Sequence, residues 1–407
     1  MKIFDVVIVG AGPAGGQCAR KLAQKGHRVL LVEQHINFQQ NNFSSAGSVL
    51  SILKDYELPE SVVGSYWNRL DVVTTKNHYR WHSENNQGVV LDFAKLRQCL
   101  TDQASQHGAT VWMHHKYVGH EQQGDLVTVN LLNRTTKQSI VIQTKILVDA
   151  TGPQHSIINR NQPQLPRYNI AFGLEYLIRA DNQCHHPNTL TFLLGDYWMP
   201  KGYAWVFPME SGVYKVGVGA YITDAAKGTP SLAPYVKQLI RNYLQIEHYE
   251  LIDKHGGVLR YCTPEHEQAY DGNIVAIGDA LSCVNALGGE GIRHGMYCAN
   301  LAAHYIDLTL YSGKSHFAAY RKAVLRKFNK TWKRCDAYAK AGYQLGTERK
   351  LDLVFGYLQK LPLPVIVDVL FHYRFGWLKW LLFKRLIKKL LRPLKKVIAT
   401  VPTTPSP

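Results

Sequence analysis

Three glycines near the N-terminus have the types and spacing that hold phosphate. Gly10, Gly12 and Gly15 stand in the stretch G-A-G-P-A-G, between the apolar run 6–9 and a helical pattern that ends at Gly26. The first glycine permits a tight turn, the second lets the backbone approach a pyrophosphate, and the third lets the helix pack closely on the sheet. The helix that begins beyond this turn directs unpaired N–H groups and partial positive charge at the phosphates. The two residues that complete the turn and belong to the predicted phosphate site are Pro13 and Ala14.

An acidic residue follows the second apolar strand, at the position where a ribose would lie. Residues 27–32 form that strand, and Glu33 ends it. Its carboxylate can accept hydrogen bonds from adenosine ribose hydroxyls and would repel a 2′-phosphate, so FAD or NAD fits better than NADP. A glycine-rich turn without a ligand is the alternative, but the full order of strand, turn, helix, strand and acid favours a dinucleotide.

A second group of residues with binding chemistry lies far downstream, in 274–295. Residues 274–277 are apolar, Asp279 follows them, and the loop Gly288-Gly289-Glu290-Gly291 precedes a helical pattern that starts at Ile292. Asp279 can reach a ribityl hydroxyl, and the N-terminus of this helix would favour an anionic reduced flavin. An ordinary strand–turn–helix connection is the alternative. Because NAD has no group for this second site, the two motifs together predict FAD, held by Gly289, Glu290, Gly291, Ile292 and the residues above.

These motifs, with residues 146–152 between them, resemble the glutathione-reductase-like FAD fold of flavin hydroxylases and their relatives. More narrowly, residues 4–310 resemble the geranylgeranyl reductase family. One motif of that family is matched at Gly278, Asp279, Ala280, Val284, Asn285, Gly289, Glu290, Gly291 and Ile292. A second, P-x-G-Y-x-W-x-F-P, is matched at Pro200, Gly202, Tyr203, Trp205, Phe207 and Pro208.

The chain departs from the family pattern at two places. Leu281, Ser282 and Ala286 replace other residues of the flavin loop, and Ser44 stands where the family carries a cysteine. The Ser44 departure leaves flavin binding as expected but bears on the reaction, because a thiol at that position could assist protonation or the positioning of the flavin.

The resemblance implies reduction of isoprenoid (geranylgeranyl or polyprenyl) C=C bonds by hydride from reduced flavin, with Tyr203, Trp205 and Phe207 lining a tunnel for the substrate. These three residues alternate, so they share one face of a strand. Tyr203, Ser44 and Cys283 are candidate proton donors. The chain has no second dinucleotide motif, so electrons would come from NAD(P)H bound transiently or from a reduced electron carrier. The alternatives are an FAD-dependent monooxygenase of aromatic or polyene substrates and a non-catalytic flavin- or lipid-binding protein.

Composition limits the class of protein and its compartment. The seven cysteines are scattered without a Cys-x-x-Cys pair, which favours a reducing compartment over a disulfide framework. No metal site is expected, because His114-His115 and His185-His186 are adjacent pairs, interpreted as surface histidines. No signal peptide is seen before the first strand, so we expect a cytoplasmic protein.

The sequence predicts an α/β fold: a Rossmann-like FAD-binding domain of glutathione-reductase type, an inserted mixed or antiparallel β-sheet substrate domain, and a helical C-terminal region. The FAD-binding domain is assigned to residues 1–59, 89–155 and 256–310, and the substrate domain to 60–88 and 156–255. A helical region follows at 311–373. A basic amphipathic segment at 374–398 and a disordered end at 399–407 complete the chain.

The net charge of +17 predicts an anionic partner, and the basic segment indicates which kind. Nine basic residues and no acid lie between Arg374 and Lys396, interleaved with apolar residues at helical spacing. This pattern favours peripheral attachment to an anionic membrane surface, with residues 361–371 adding to the same surface. A helix packed on its own core and a nucleic-acid patch are the alternatives, and no nucleic acid is expected as a partner.

Overall fold

The computed structural model describes residues 2–158, 168–181, 185–210, 212–222, 231–344 and 347–376. Its strands, in chain order, are β1 (Ile3–Val9), β2 (Val29–Val32), β3 (Gly47–Val49), β4 (Val63–Trp67), β5 (Arg69–Val73), β6 (His78–His82), β7 (Gly88–Leu91), β8 (Thr110–Trp112), β9 (His115–Gln123), β10 (Leu126–Asn133), β11 (Ser139–Asp149), β12 (Asn169–Arg179), β13 (Thr189–Leu194), β14 (Gly202–Pro208), β15 (Val213–Tyr221), β16 (Glu250–Tyr261), β17 (Tyr270–Asp271) and β18 (Ile274–Ala276). Its α-helices are α1 (Pro13–Gln24), α2 (Ser51–Asp55), α3 (Phe93–Gln106), α4 (Ala233–Gln238), α5 (Ile292–Ser312), α6 (Phe317–Ala339), α7 (Glu348–Leu358) and α8 (Leu363–Leu370).

The first sheet positions both predicted binding motifs. Its strands run in the order β17-β18-β11-β1-β2-β8, and β8, β2, β1, β11 and β18 are parallel. The apolar run at residues 6–9 of β1 is buried, and α1, which packs on β1 and β2, is flanked by α3 and α5. Strands β10 and β9 extend β11 as an antiparallel hairpin. The carboxyl ends of β1, β2 and β18 therefore meet at one edge, which carries the two glycine loops.

The second sheet has the order β16-β12-β15-β14-β13-β5-β6 and is antiparallel except for the β13–β5 pair. Strands from the two segments assigned to a substrate domain meet in it. The structure differs from the predicted boundaries in two respects. Strand β16 continues in this sheet to Tyr261, past the expected boundary at 255, because its whole length pairs with β12. Strands β4 and β7 instead form a separate three-stranded sheet with β3.

The helical C-terminal region packs against both sheets. Phe317, Tyr320 and Phe328 of α6 are buried against the core of the first sheet, whereas α7 and α8 pack on the second. The α/β fold with two sheets and a helical C-terminal region is confirmed.

The stretch 361–371, expected on a lipid-facing surface, is part of the protein core. Leu363, Ile366 and Val369 of α8 are buried, and Phe371 packs against Trp67 with ring centroids 5.5 Å apart. The expectation is therefore wrong, because apolar side chains alone do not distinguish a protein core from lipid. Most of the predicted basic segment and the predicted disordered end lie outside the described residues. No described helix has the length and hydropathy that crossing a membrane requires.

Candidate active site

The first glycine turn is fixed by backbone packing. Gly10 has a φ of +106°, and a Cβ there would lie 2.3 Å from the carbonyl oxygen of Ala150. A Cβ at Gly15 would lie 1.8 Å from the carbonyl oxygen of Gly10, so only glycine lets α1 approach β1 this closely. At Gly12, by contrast, a Cβ would meet no atom within 4 Å. The turn thus leaves open space beside Gly12, where the sequence predicts a pyrophosphate.

Glu33 connects the first turn to the end of β2. Its carboxylate accepts the Ala11 N–H at 2.9 Å and the His35 N–H at 3.0 Å. Each carboxylate oxygen has a further lone pair that a ribose hydroxyl could use.

The buried guanidinium of Arg97 lies over the ring of Phe93, 4.5 Å from its centroid. Burial lowers the pKa of Arg97 to about 10, although the charge of Glu33 opposes this shift. No sequence pattern indicates a role for Arg97, because it lies within an ordinary amphipathic helix.

Asp279 lies beside the start of α5. A Cβ at Gly291 would lie 3.2 Å from Asp279 Oδ1, so the absence of a side chain at Gly291 lets the carboxylate approach the helix N-terminus. Burial raises the pKa of Asp279 to about 6. Its carboxylate accepts no hydrogen bond from the part of the chain that the structure describes. A hydroxyl donor would therefore stabilise it, and the ribityl chain of FAD carries such donors.

The two loops together fit an extended flavin dinucleotide. Open space at Gly12 suits a pyrophosphate, Glu33 has acceptor capacity for a ribose, and the buried Asp279 has acceptor capacity for a hydroxylated chain. The turns also lie at the same edge of one parallel sheet. These residues would hold FAD, and their contacts with it remain a prediction.

Three tyrosines from distant segments hold the flavin loop from outside. Tyr221 OH donates to the carbonyl of Ala286 at 2.7 Å, and Tyr203 OH donates to that of Gly288 at 3.0 Å. Tyr343 OH, from a π-helical turn after α6, donates to the carbonyl of Leu287 at 2.5 Å. We call these three residues the tyrosine clamp. Three successive carbonyls are satisfied in this way, although only Tyr203 was identified from the sequence.

A cavity of about 570 Å³ opens beside this loop. Tyr203, Trp205 and Phe207, which share one face of β14, all line it, as the family resemblance implies, together with Ser44 and the loop 287–292. The opposite wall is formed by the C-terminal helices, through the apolar residues Tyr338, Tyr343, Leu351, Val354, Phe355, Leu358, Val369, Leu370, Phe371, Tyr373 and Phe375. Helical periodicity predicts an apolar face on α7, but it does not reveal what that face covers.

A buried lysine holds the Ser44 loop in this cavity wall. Lys215 Nζ donates to the carbonyls of Ser44 at 2.9 Å, Leu91 at 3.1 Å and Ser45 at 3.4 Å. Burial lowers the pKa of Lys215, and attraction to Glu175 opposes this shift. Glu175 in turn accepts the Trp205 indole N–H at 2.8 Å. Two buried charged residues that attract each other therefore lie between the loop and an aromatic residue of the cavity.

The side chain of Glu290 is occupied by an ion-pair network. It accepts two hydrogen bonds of 2.8 Å from the Arg293 guanidinium and one of 2.8 Å from Tyr373 OH. Arg293 also donates to the carbonyl of Phe371 at 2.7 Å. Burial alone would raise the pKa of Glu290, but His294 and Arg293 hold it well below its usual range. Glu290 thus ties the flavin loop to the end of α8.

Two family models match the chain. One, described as FAD dependent oxidoreductase, matches residues 5–153, and one described as geranylgeranyl reductase catalytic domain matches residues 169–259. The first range contains the glycine turn and Glu33. The second contains the aromatic residues of β14. The chain is an FAD-dependent oxidoreductase, and its middle segment is similar to the geranylgeranyl reductase catalytic domain.

Relatives of this oxidoreductase carry related names. The digeranylgeranylglycerophospholipid reductase of Haloferax volcanii is 27% identical over 337 residues, covering 79% of this chain and 80% of that protein. The protein of the same name from Sulfolobus acidocaldarius is 26% identical, covering 73% of this chain and 68% of its own.

Solved structures share the fold of this oxidoreductase. A geranylgeranyl bacteriochlorophyll reductase-like protein of Thermoplasma acidophilum superposes with a TM-score of 0.81 at 20% identity, covering 94% of this chain and all of that one. The p-nitrophenol 4-monooxygenase of Pseudomonas putida superposes less closely, with a TM-score of 0.64 at 16% identity, covering 88% and 99%.

Cys283, one of the three candidate proton donors, lies away from the cavity. Its thiol is fully buried, lies outside the cavity lining, and has a pKa raised well above the ordinary value, chiefly by burial. Ser44 and Tyr203 do line the cavity. His185, interpreted as a surface residue, is buried and shares a 3.1 Å hydrogen bond with Thr191 Oγ1, so that expectation is also wrong.

Proposed function

We propose that this oxidoreductase reduces the carbon–carbon double bonds of isoprenoid chains in a lipid-like substrate. The observation that carries the proposal is the cavity, because its mainly apolar walls reach from the flavin loop at Gly288 to the C-terminal helices. A long apolar chain suits such a space better than a compact polar molecule. The reductase names of the relatives support the same substrate class.

The cavity walls would position the alkene and exclude water. Unactivated alkenes resist hydride addition, so positioning and a dry site must supply much of the rate. Phe192, Trp205 and Phe207 provide one rigid aromatic wall, and α7 and α8 provide the other. When bound, FAD would supply the hydride in its reduced form.

Tyr203 is the proton donor that we propose for the second half of the reaction. Its hydroxyl lines the cavity beside the flavin loop, with the carbonyl of Gly288 at 3.0 Å. Burial raises the pKa of Tyr203 to about 12, so the phenol stays protonated at neutral pH. Ser44 is the other hydroxyl from the predicted set in the lining, and it is the second candidate.

Electron supply and location complete the proposal. The chain has a single N-terminal dinucleotide motif, so we infer that NAD(P)H binding transiently, or a reduced redox partner, delivers the electrons. An isoprenoid lipid resides in a bilayer, and the charge of +17 suits an anionic membrane. We therefore infer peripheral association with a membrane.

An anaerobic turnover experiment tests the proposal. The FAD-loaded protein is photoreduced without oxygen and mixed with a detergent-dispersed geranylgeranyl phospholipid, while flavin absorbance and lipid mass are followed. We expect substrate-dependent flavin reoxidation and a gain of two hydrogens for each double bond reduced. If no lipid is converted without oxygen while air restores conversion, the monooxygenase alternative replaces the reductase.

The proton donor is tested in the same assay. Tyr203→Phe is expected to lower turnover of the FAD-saturated protein by about 100-fold, the typical contribution of a positioned general acid, whereas FAD should dissociate only about five-fold more readily. Tyr311→Phe is the matched control, because Tyr311 is 92% exposed and lies outside the cavity lining. Turnover of Tyr203→Phe within a few-fold of wild type would exclude Tyr203 and direct the search to Ser44.

A further inference from the structure

The outer face of α6 carries a row of basic residues. Lys322, Arg326, Lys330 and Arg334 are all exposed and follow one another at intervals of four, so they lie side by side along the helix. The row is about 18 Å long at the rise of an α-helix. We call these four residues the α6 row. The opposite face of the helix is buried in the core through Phe317, Tyr320, Phe328, Trp332 and Cys335.

The α6 row has no counter-charge among the described residues, whereas two other basic residues of this helix have partners. Lys333 pairs with Glu265 at 2.8 Å, and Lys327 lies over the ring of Tyr297, 4.5 Å from its centroid. The four residues of the row form no ion pair with any described residue. Like charges four residues apart destabilise a helix slightly, so internal packing does not account for the row. An external anion does account for it.

The α6 row leads to the mouth of the cavity. Tyr338 follows Arg334 by four residues, lines the cavity and is 43% exposed. Across the mouth, Leu353, Val354 and Tyr357 of α7 are 52%, 48% and 37% exposed, and the last two also line the cavity. Exposed apolar side chains beside a row of cations are typical of surfaces that sit in a bilayer interface.

The basic C-terminal sequence begins at the same place. Phe375, almost the last described residue, packs against Tyr338 with ring centroids 4.8 Å apart. The eight basic residues from Lys379 to Lys396 therefore follow in the chain directly after the mouth. A nucleic acid would match the charge but would leave the apolar residues of α7 without a partner. An anionic bilayer satisfies both.

We propose that the α6 row and the exposed face of α7 dock on an anionic bilayer, so that the mouth of the cavity opens toward the lipid. This inference rests on the proposed function, since it is the isoprenoid substrate that gives the cavity a reason to face a membrane. The α6 row would contact the phosphate headgroups, and Leu353, Val354 and Tyr357 would enter the interface.

Vesicle binding by the full-length, FAD-loaded protein tests the docking surface. Vesicles of phosphatidylglycerol with phosphatidylcholine are compared with vesicles of phosphatidylcholine alone, in a sedimentation assay. The quadruple variant Lys322→Glu, Arg326→Glu, Lys330→Glu and Arg334→Glu is expected to lose at least about 100-fold in binding to the anionic vesicles, since each basic residue contributes roughly five-fold. Leu353→Asp is expected to weaken binding by about ten-fold through its lost apolar contact.

A matched variant separates a specific face from overall charge. Lys2→Glu, Lys54→Glu, Lys116→Glu and Lys137→Glu change the net charge equally at exposed positions outside α6 and α7. This control should stay within about ten-fold of wild type, because charges beyond a Debye length of the bilayer are screened. The neutral set Lys322→Gln, Arg326→Gln, Lys330→Gln and Arg334→Gln provides a second variant if the glutamate set folds poorly.

The outcomes separate this inference from the proposed function. Loss of vesicle binding with normal reduction of a detergent-dispersed substrate supports the docking surface. Wild-type vesicle binding by both α6 variants would overturn it and leave the C-terminal sequence as the attachment. Tighter binding of the wild type to DNA than to anionic vesicles would overturn it as well. Absence of reduction in detergent for every protein, with selective vesicle binding intact, would contradict only the proposed function.

Discussion

The two loops that would hold FAD are stabilised in opposite ways. The turn at Gly10–Gly15 is fixed by close backbone packing, since Cβ atoms at Gly10 and Gly15 would overlap carbonyl oxygens of Ala150 and Gly10. The loop 286–290 is instead held by side chains, namely the tyrosine clamp from distant segments and Arg293 from the start of α5. The first loop therefore depends on backbone contacts, whereas the second depends on side-chain hydrogen bonds.

This difference gives the second loop a connection that the first lacks. Tyr343 and Tyr373 belong to the C-terminal region, and both also line the cavity. A shift of the C-terminal helices would therefore move the residues that hydrogen-bond the flavin loop. We infer that the first loop provides affinity for the nucleotide half of FAD, whereas the second adjusts the flavin to the contents of the cavity.

The largest effect should come from adding a side chain to the first glycine turn. Gly15→Ala places a Cβ 1.8 Å from the carbonyl oxygen of Gly10, and backbone cannot yield as a side chain can. We expect little folded protein and no bound flavin, measured by thermal unfolding and by the ratio of isoalloxazine to protein absorbance. Gly12→Ala is the matched control, because its Cβ meets no protein atom within 4 Å.

Gly12→Ala should keep the unfolding temperature of the flavin-free protein and yet bind FAD at least ten-fold more weakly, since the Cβ enters the predicted pyrophosphate space. Normal FAD binding by Gly12→Ala would show that the open space is not the phosphate site. Normal stability of Gly15→Ala would show that the turn is not fixed by packing.

The next largest effect should come from the charge network of the second loop. Glu290→Gln leaves the Arg293 guanidinium buried without its carboxylate, which should lower the free energy of unfolding by about 4 kcal/mol. Glu265→Gln, whose carboxylate pairs with the exposed Lys333, should cost less than about 1 kcal/mol. Chemical denaturation measures both. Equal costs for the two variants would contradict the dependence of the loop on this network.

The same variant predicts a pH dependence. The pKa of Glu290 is lowered in the folded protein, so its contribution to stability is present above the unfolded pKa of about 4.3 and is lost as the pH falls below it. Burial lowers the pKa of His294, so protonation of His294 in acid adds to the same loss. The stability difference between wild type and Glu290→Gln should therefore shrink below roughly pH 5. A constant difference from neutral pH to acid would contradict the assignment.

A third loop, at Ser44–Ala46, tests whether dependence on distant side chains is general in this site. Lys215→Met removes the ammonium that donates to the carbonyls of Ser44, Ser45 and Leu91. This loss should lower the free energy of unfolding by about 3 kcal/mol. The cost stays moderate because Glu175, whose pKa burial already raises, can take up a proton. Lys237→Met, at an exposed position, should be neutral.

Turnover should fall with Lys215→Met because the loop lines the cavity, and the KM should rise with it. Adding Glu175→Gln should restore at least 1 kcal/mol of stability without restoring turnover, since the loop carbonyls remain unbound. Full recovery of turnover in the double variant would show that charge balance, and not the position of the loop, is what Lys215 provides.

The sequence predicts features set by local backbone geometry better than those that depend on distant side chains. The glycine turn, Glu33 and the alternation of Tyr203, Trp205 and Phe207 were predicted because their geometry is set within a short stretch of chain. Lys215 and Tyr343 were not, since their partners lie 171 and 56 residues away and neither residue type is unusual where it occurs. The residues 361–371 were placed on a lipid surface because hydropathy does not specify which apolar environment a helix enters.

The smallest effect should come from Tyr343 and Tyr221, the two members of the tyrosine clamp that are not candidate proton donors. Tyr343→Phe removes one neutral hydrogen bond, from the hydroxyl to the carbonyl of Leu287, and should lower stability by about 1 kcal/mol. Because that bond holds the flavin loop, we expect FAD to dissociate about five-fold more readily, as measured by flavin fluorescence on dilution. Tyr311→Phe, at a 92% exposed position, should change neither quantity. If the clamp acts as a unit, Tyr221→Phe should change stability and FAD dissociation by the same amounts as Tyr343→Phe. A loss of stability in both variants without any change in FAD affinity would show that the tyrosines support the fold but not the flavin loop.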